Sequence, residues 1–182
     1  MLLVDPACST PYERQQLKDY IGSRSVTIIA THGHLDHLWG AAWACREWQT
    51  EVLMHEADIP MAEAMEAQYA LFGIRATPEP FPIRPLRLDT PPEEPTGSTL
   101  QLLHTPGHTP GSVSLYWEEE QVLLSGDTLF RMGYGRTDLP GGDIGQLIGS
   151  LKRLSSLPPE TKVYPGHGGE TTIGAERTMY HF

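Results

Sequence analysis

The sequence predicts an α/β protein of two sheets with helices packed outside them. Three observations predict it. Over residues 1–71, short apolar runs alternate with helical stretches. Over 100–124, three strand-like runs follow one another with only turn signals between. After residue 143 come a helix, a strand and a short last helix. This order alone does not identify the fold.

Leu2–Val4 reads as a strand ending at Asp5-Pro6, and residues 12–22 as a helix capped by Thr10-Pro11 and stopped by Gly22. Val26–Ala30 is an apolar run typical of a buried strand. A helix from about 37 to 48 follows, with Trp39, Ala42, Trp43 and Arg46 at helical spacing. Glu51–Met54 predicts a strand and His55 to about Leu71 a helix rich in Ala, Met and Glu. Prolines dominate from Thr77 to Thr96, predicting an irregular stretch with one short strand around 86–88. Leu100–Leu103, Ser112–Trp117 and Gln121–Leu124 predict three more strands, with Glu118–Glu120 as a solvated turn. A glycine-rich loop spans Gly133–Gly142, Asp143 caps a helix to about Leu157, and Lys162–Tyr164 is the final strand.

The 182 residues suit one domain over 1–182, since no linker divides them. Apolar content of 39% and charged content of 20% are ordinary for a globular protein. A net charge of −10 argues against nucleic acid as a partner and against anionic membranes. No apolar run approaches the roughly 18 residues of a membrane span, and the N-terminus lacks the marks of a signal peptide. Cys8 and Cys45 form no disulfide framework and suit two reduced thiols in a cytoplasmic protein.

Residues 31–37, Thr-His-Gly-His-Leu-Asp-His, place His32, His34, Asp36 and His37 within six positions where a strand ends. Such crowding suits a metal site. Two neighbouring ions need further ligands, and three later positions qualify, each beside glycine at a strand end: His108, Asp127 and His167. Taken singly, the two histidines suit ordinary loop or core roles and Asp127 a turn cap. Their joint order favours ligation. His55, His104 and His181 show no such context, and Trp39 and Trp43 suit the core.

The ordered set resembles the metallo-β-lactamase fold superfamily over nearly the whole chain. The resemblance implies an αββα sandwich of two mixed β-sheets flanked by helices, and ligation of two divalent metal ions. By it, His32, His34 and His108 bind one ion, Asp36, His37 and His167 the other, and Asp127 bridges them. Asp5 corresponds to a carboxylate that orients a ligand imidazole from behind. Zinc is the first expectation, with iron or manganese as alternatives. Two ions about 3.5–4 Å apart bring a shared water to a pKa of about 7, so that hydroxide is at hand to attack a carbonyl. Asp36 and Asp127, the carboxylates expected to serve catalysis, partly neutralise the ions.

The loop from Gly135 to Asp143 looks like the Gly-Arg-Thr-Asp segment of glyoxalase II-like thioester hydrolases and persulfide dioxygenases. There Arg136 and Asp138 would support the metal loop, pairing with each other or with a ligand; a solvated ion pair is the plain alternative. The segment after His167 is closer to short glyoxalase II-like hydrolases. A small-molecule thioester or related ester is therefore the expected substrate. A mononuclear-iron persulfide dioxygenase and a metal-binding protein with little catalysis are the alternatives. Superfamily members normally carry a strand before the one matching Leu2–Asp5, and full-length glyoxalase II carries a further basic helical region after the position of Phe182. Neither has a counterpart in this sequence. An exposed sheet edge, and with it homodimer formation, is the expected consequence at the front.

Overall fold

The computed structural model describes residues 1–92 and 99–180. They form two compact units, Met1–Leu86 and Arg87–Phe182. The proline-rich expectation runs partly through 93–96, and His181 falls at the end; these lie outside the described residues. No helix among the described residues is long and apolar enough to cross a membrane.

The first unit is built on β1 (Leu2–Val4), β2 (Thr27–Ile29), β3 (Val52–Met54) and β4 (Ile83–Pro85), parallel throughout and side by side in that order. Parallel strands require crossovers and two covered faces. The crossovers are α1 (Pro11–Ile21), then α2 (Leu35–Leu38) with α3 (Ala41–Trp48), then a 3₁₀ turn (Glu56–Asp58) with α4 (Ile59–Glu63) and α5 (Met65–Leu71). Ile28, Ile29, Val52 and Met54 are wholly buried, and burying such side chains stabilises by about 1.5–3 kcal/mol each.

Tertiary contacts redraw three elements. The helix expected from 37 to 48 begins at Leu35 and breaks around Trp39-Gly40. A Cβ at Gly40 would lie 2.6 Å from the Pro6 carbonyl oxygen and 2.7 Å from that of Cys8, so the chain turns where only glycine fits. The helix expected over His55–Leu71 is three short pieces, divided after Asp58 and at Ala64, with the Asp58 and Gln68 side chains buried. The strand expected at 86–88 lies at Ile83–Pro85, registered on β3 as Val52 with Ile83 and Met54 with Pro85. Pro85 is tolerated because β4 is an edge strand.

The second unit is a mixed sheet of five strands in the order β11-β10-β7-β6-β5. They are β5 (Leu100–His104), β6 (Val113–Trp117), β7 (Val122–Gly126), β10 (Lys162–Pro165) and β11 (Thr171–Thr172). A separate ribbon pairs β8 (Leu129–Phe130) with β9 (Gly133–Tyr134). Two helices complete the unit, α6 (Ile144–Ser155) and α7 (Ile173–Tyr180). Asp143 caps α6 by accepting from the Gln146 amide at 3.0 Å, and Leu147, Leu151 and Leu154 are buried at helical spacing. The ribbon and β11 escaped the sequence, since two-residue strands carry no periodicity.

Candidate metal centre

In the first unit, β2 delivers the chain to buried Thr31, His32, His34 and His37, while Asp36 is exposed. The His32 ring stands 4.8 Å from that of His34 and 4.1 Å from that of His37, centroid to centroid. Asp5, just past β1, takes a left-handed backbone at φ 50, a conformation aspartate tolerates. From there Oδ1 accepts from the Thr31 amide at 2.7 Å, and Oδ2 lies 2.7 Å from Thr31 Oγ1 and 2.8 Å from His37 Nδ1. With its own proton directed at Asp5, Thr31 Oγ1 is an acceptor for His32 Nδ1 at 3.0 Å. The network thus keeps a proton on Nδ1 of both rings and places the Nε2 lone pair where a metal would use it.

The loop itself is held from below. The Gly33 amide donates to Asp58 Oδ2 at 2.9 Å, and a Cβ there would lie 2.9 Å from the Asp58 carbonyl oxygen. Gln68 accepts from the Leu35 amide and donates to the Gly33 and Met61 carbonyls, each at 2.9 Å. Thr31, Asp58 and Gln68 therefore support the site although the sequence did not single them out. Asp58 and Gln68 sit among exposed polar residues in an Ala- and Glu-rich stretch, and nothing local marks them as inward-facing.

In the second unit, His108 lies between β5 and β6, Asp127 follows β7 and His167 follows β10. Asp127 Oδ2 is 3.5 Å from Nε2 of both His108 and His167. His108 and Asp127 are buried and His167 is largely exposed. His108 Nδ1 donates to the Arg136 carbonyl oxygen at 2.7 Å, so this imidazole too carries its lone pair on Nε2. Two glycines make the packing possible: a Cβ at Gly135 would lie 1.9 Å from the Asp127 carbonyl oxygen, and one at Gly107 would lie 2.2 Å from the Leu147 nitrogen.

The Arg136 and Asp138 side chains pair with each other, Nε to Oδ1 at 2.6 Å and Nη2 to Oδ2 at 2.7 Å, out in solvent. The hydrogen bonds from Arg136 hold the Asp138 carboxyl down at about 2. What Arg136 gives the candidate centre is its backbone carbonyl, which no side-chain motif announces. His55 caps the 3₁₀ turn by accepting from the Ala57 amide, and His104 Nε2 lies 2.9 Å from the Pro110 carbonyl oxygen. Cys45 is buried, and that burial pushes its thiol up to about 11.

Imidazoles and carboxylates gathered on the loops that leave β-strands define a metal-binding α/β protein. The chain belongs to the metallo-beta-lactamase superfamily, whose sequence profile matches residues 2–167. A structure of TTHA1623 in a di-iron-bound form is similar at 39% identity, covering 96% of this chain and 85% of that one, with TM-score 0.85. The BLEG-1 B3 metallo-beta-lactamase is similar at 32% identity, covering 97% of this chain and 85% of that one, with TM-score 0.83. Hydroxyacylglutathione hydrolase GloC of Haemophilus influenzae is 32% identical over 99% of this chain and 85% of its own length. The αββα fold class expected from the sequence is the one found, with the first sheet wholly parallel and the second mixed. The His/Asp clusters are consistent with the metal-dependent hydrolytic chemistry of the superfamily.

Proposed function

We propose that residues 1–182 act as one metallo-hydrolase that cleaves a thioester or related ester, in the manner of glyoxalase II. His32, His34 and His108 would hold one divalent ion, Asp36, His37 and His167 the other, and Asp127 would bridge them. The observation that carries this proposal is the shared setting of three imidazoles. His32, His37 and His108 each commit Nδ1 to an oxygen of Thr31, Asp5 and Arg136 respectively. Polar partners placed behind rings on separate loops suit ligands and serve no packing purpose. Two bound cations would supply hydroxide at neutral pH and draw negative charge from a carbonyl. The chain's own part is to fix the rings and to reduce the net charge through Asp36 and Asp127. GloC supports the thioester, being described as a hydroxyacylglutathione hydrolase.

Two further readings have support among the relatives. The di-iron-bound form of TTHA1623 favours iron over zinc as the metal of this chain. The likeness to BLEG-1 favours a β-lactam as the carbonyl substrate. Metal analysis of protein purified without added metal, paired with assays on S-lactoylglutathione and on a cephalosporin, tests all three. Two ions per chain with thiol release are expected. One iron per chain without thiol release, or β-lactam cleavage alone, overturns the thioesterase proposal.

A further inference from the structure

Arg131 stands at the tip of the β8–β9 ribbon, beside the loop that carries His167. Its Nη1 lies 3.7 Å from where a Cβ on Gly169 would stand. Gly168 and Gly169 leave that ledge bare, and Phe130, the neighbouring residue, sets its ring edge-on to His167 at 6.2 Å between centroids. The tip is held in place. Met132 takes φ 59, strained for a residue with a side chain, and its amide donates to Glu176 Oε2 at 3.0 Å. Glu176 is buried on α7, with its other oxygen accepting from Thr171 Oγ1 at 2.6 Å. A buried carboxylate thus fixes an exposed turn and, with it, the base of Arg131.

The other arginines of this unit are engaged. Arg87 faces Asp89 and Arg136 pairs with Asp138. Arg153 donates to the His104 carbonyl oxygen, and Arg177 to those of Ser155 and Leu157. Among the described residues Arg131 makes no such bond. Met132 and Tyr134, both exposed, offer apolar surface on the same ribbon.

We propose that Arg131 reads an oxyanion on the substrate, so that the preferred substrates are thioesters bearing a carboxylate away from the scissile bond, on carrier or acyl group. A guanidinium fork matches a carboxylate in two parallel hydrogen bonds, and in a chain of net charge −10 an unpaired one is a local reversal of sign. The proposal rests on the hydrolase assignment above and deepens it by naming a substrate class.

The test compares three thioesters in the wild type, R131A and R131K: S-lactoylglutathione, with carboxylates on the carrier; S-succinyl-N-acetylcysteamine, with one on the acyl group; and neutral S-lactoyl-N-acetylcysteamine. The ratio of kcat/KM for an anionic substrate to that for the neutral one is expected to fall about tenfold or more in R131A, through KM, and less in R131K. Which anionic substrate loses its advantage tells carrier from acyl group. Titration calorimetry with S-methylglutathione and with succinate gives a readout independent of turnover, and R131A should weaken one of them by a similar factor. Unchanged ratios with unchanged Kd values, or an equal fall on all three thioesters, overturn the proposal. If the wild type cleaves none of the three, the hydrolase assignment fails, and the titrations alone still decide Arg131.

Discussion

Asp5 shows how much one side chain settles. Its two oxygens meet the Thr31 amide, the Thr31 hydroxyl and His37 Nδ1, so one carboxylate sets the proton positions of two imidazoles. Asp5→Asn keeps the size but offers an amide where Nδ1–H needs an acceptor. We expect bound metal to weaken by 10- to 100-fold, as for other groups that orient metal ligands, measured by competition with a chromophoric chelator; unchanged affinity would show that Asp5 only shapes its turn. Gly135→Ala is a second case. The added methyl has no space against the Asp127 carbonyl oxygen and the His108 ring. Overpacking costs about 1–3 kcal/mol, and the variant should melt several degrees lower and bind metal poorly. A Gly135→Ala protein with wild-type melting would refute the close approach.

Among the elements, α1 shows which local signals survive folding. Thr10-Pro11 and Gly22 mark its ends, and the structure adds a reciprocal cap, with Glu13 Oε2 accepting from the Ser9 and Thr10 amides at 2.9 and 2.8 Å. Those bonds, from Thr10 first and then Ser9, hold the Glu13 carboxyl down at about 2. A carboxylate depressed on folding stabilises above its ordinary value near 4.5 and ceases to as pH falls through about 2. The gap in melting temperature between wild type and Glu13→Gln should therefore be full near neutral pH and close in strong acid; a gap independent of pH would contradict the cap. Thr10→Ala should cost about 1 kcal/mol in denaturant unfolding. The helices around 37–48 and 55–71 went otherwise. Helical composition persisted through both, and what broke them was contact with other segments: Gly40 against Pro6 and Cys8, and Asp58 and Gln68 turned under the loop of Gly33. No residue's neighbours in sequence carry that information.

At the scale of the whole molecule, metal and folding are linked under the proposed function. A ligand at about 100 times its Kd contributes about 2.7 kcal/mol. Chelator-treated protein should melt several degrees below untreated protein and recover with added zinc, iron or manganese. Melting indifferent to chelator would count against metal binding by the folded chain. Much of this level was legible in the sequence. The order of His32, His34, Asp36, His37, His108, Asp127 and His167 pointed to the superfamily, and the two sheets followed from alternation and turn signals. Those signals are local: apolar periodicity, proline, glycine and clustered imidazoles. The sequence by itself determined most of the longer elements, the family and the candidate ligands. Only the tertiary structure decided which oxygens stand behind the imidazoles, that Arg136 serves through its carbonyl while its side chain faces solvent, and that Arg131 stands beside the His167 loop. Thr31 and His32 are neighbours, but the other pairings join positions distant in the chain, 32 residues apart for Asp5 and His37 and 28 for His108 and Arg136. Such pairings are fixed by strand register and by glycines without room for a Cβ, and neither is written in any short stretch of residues.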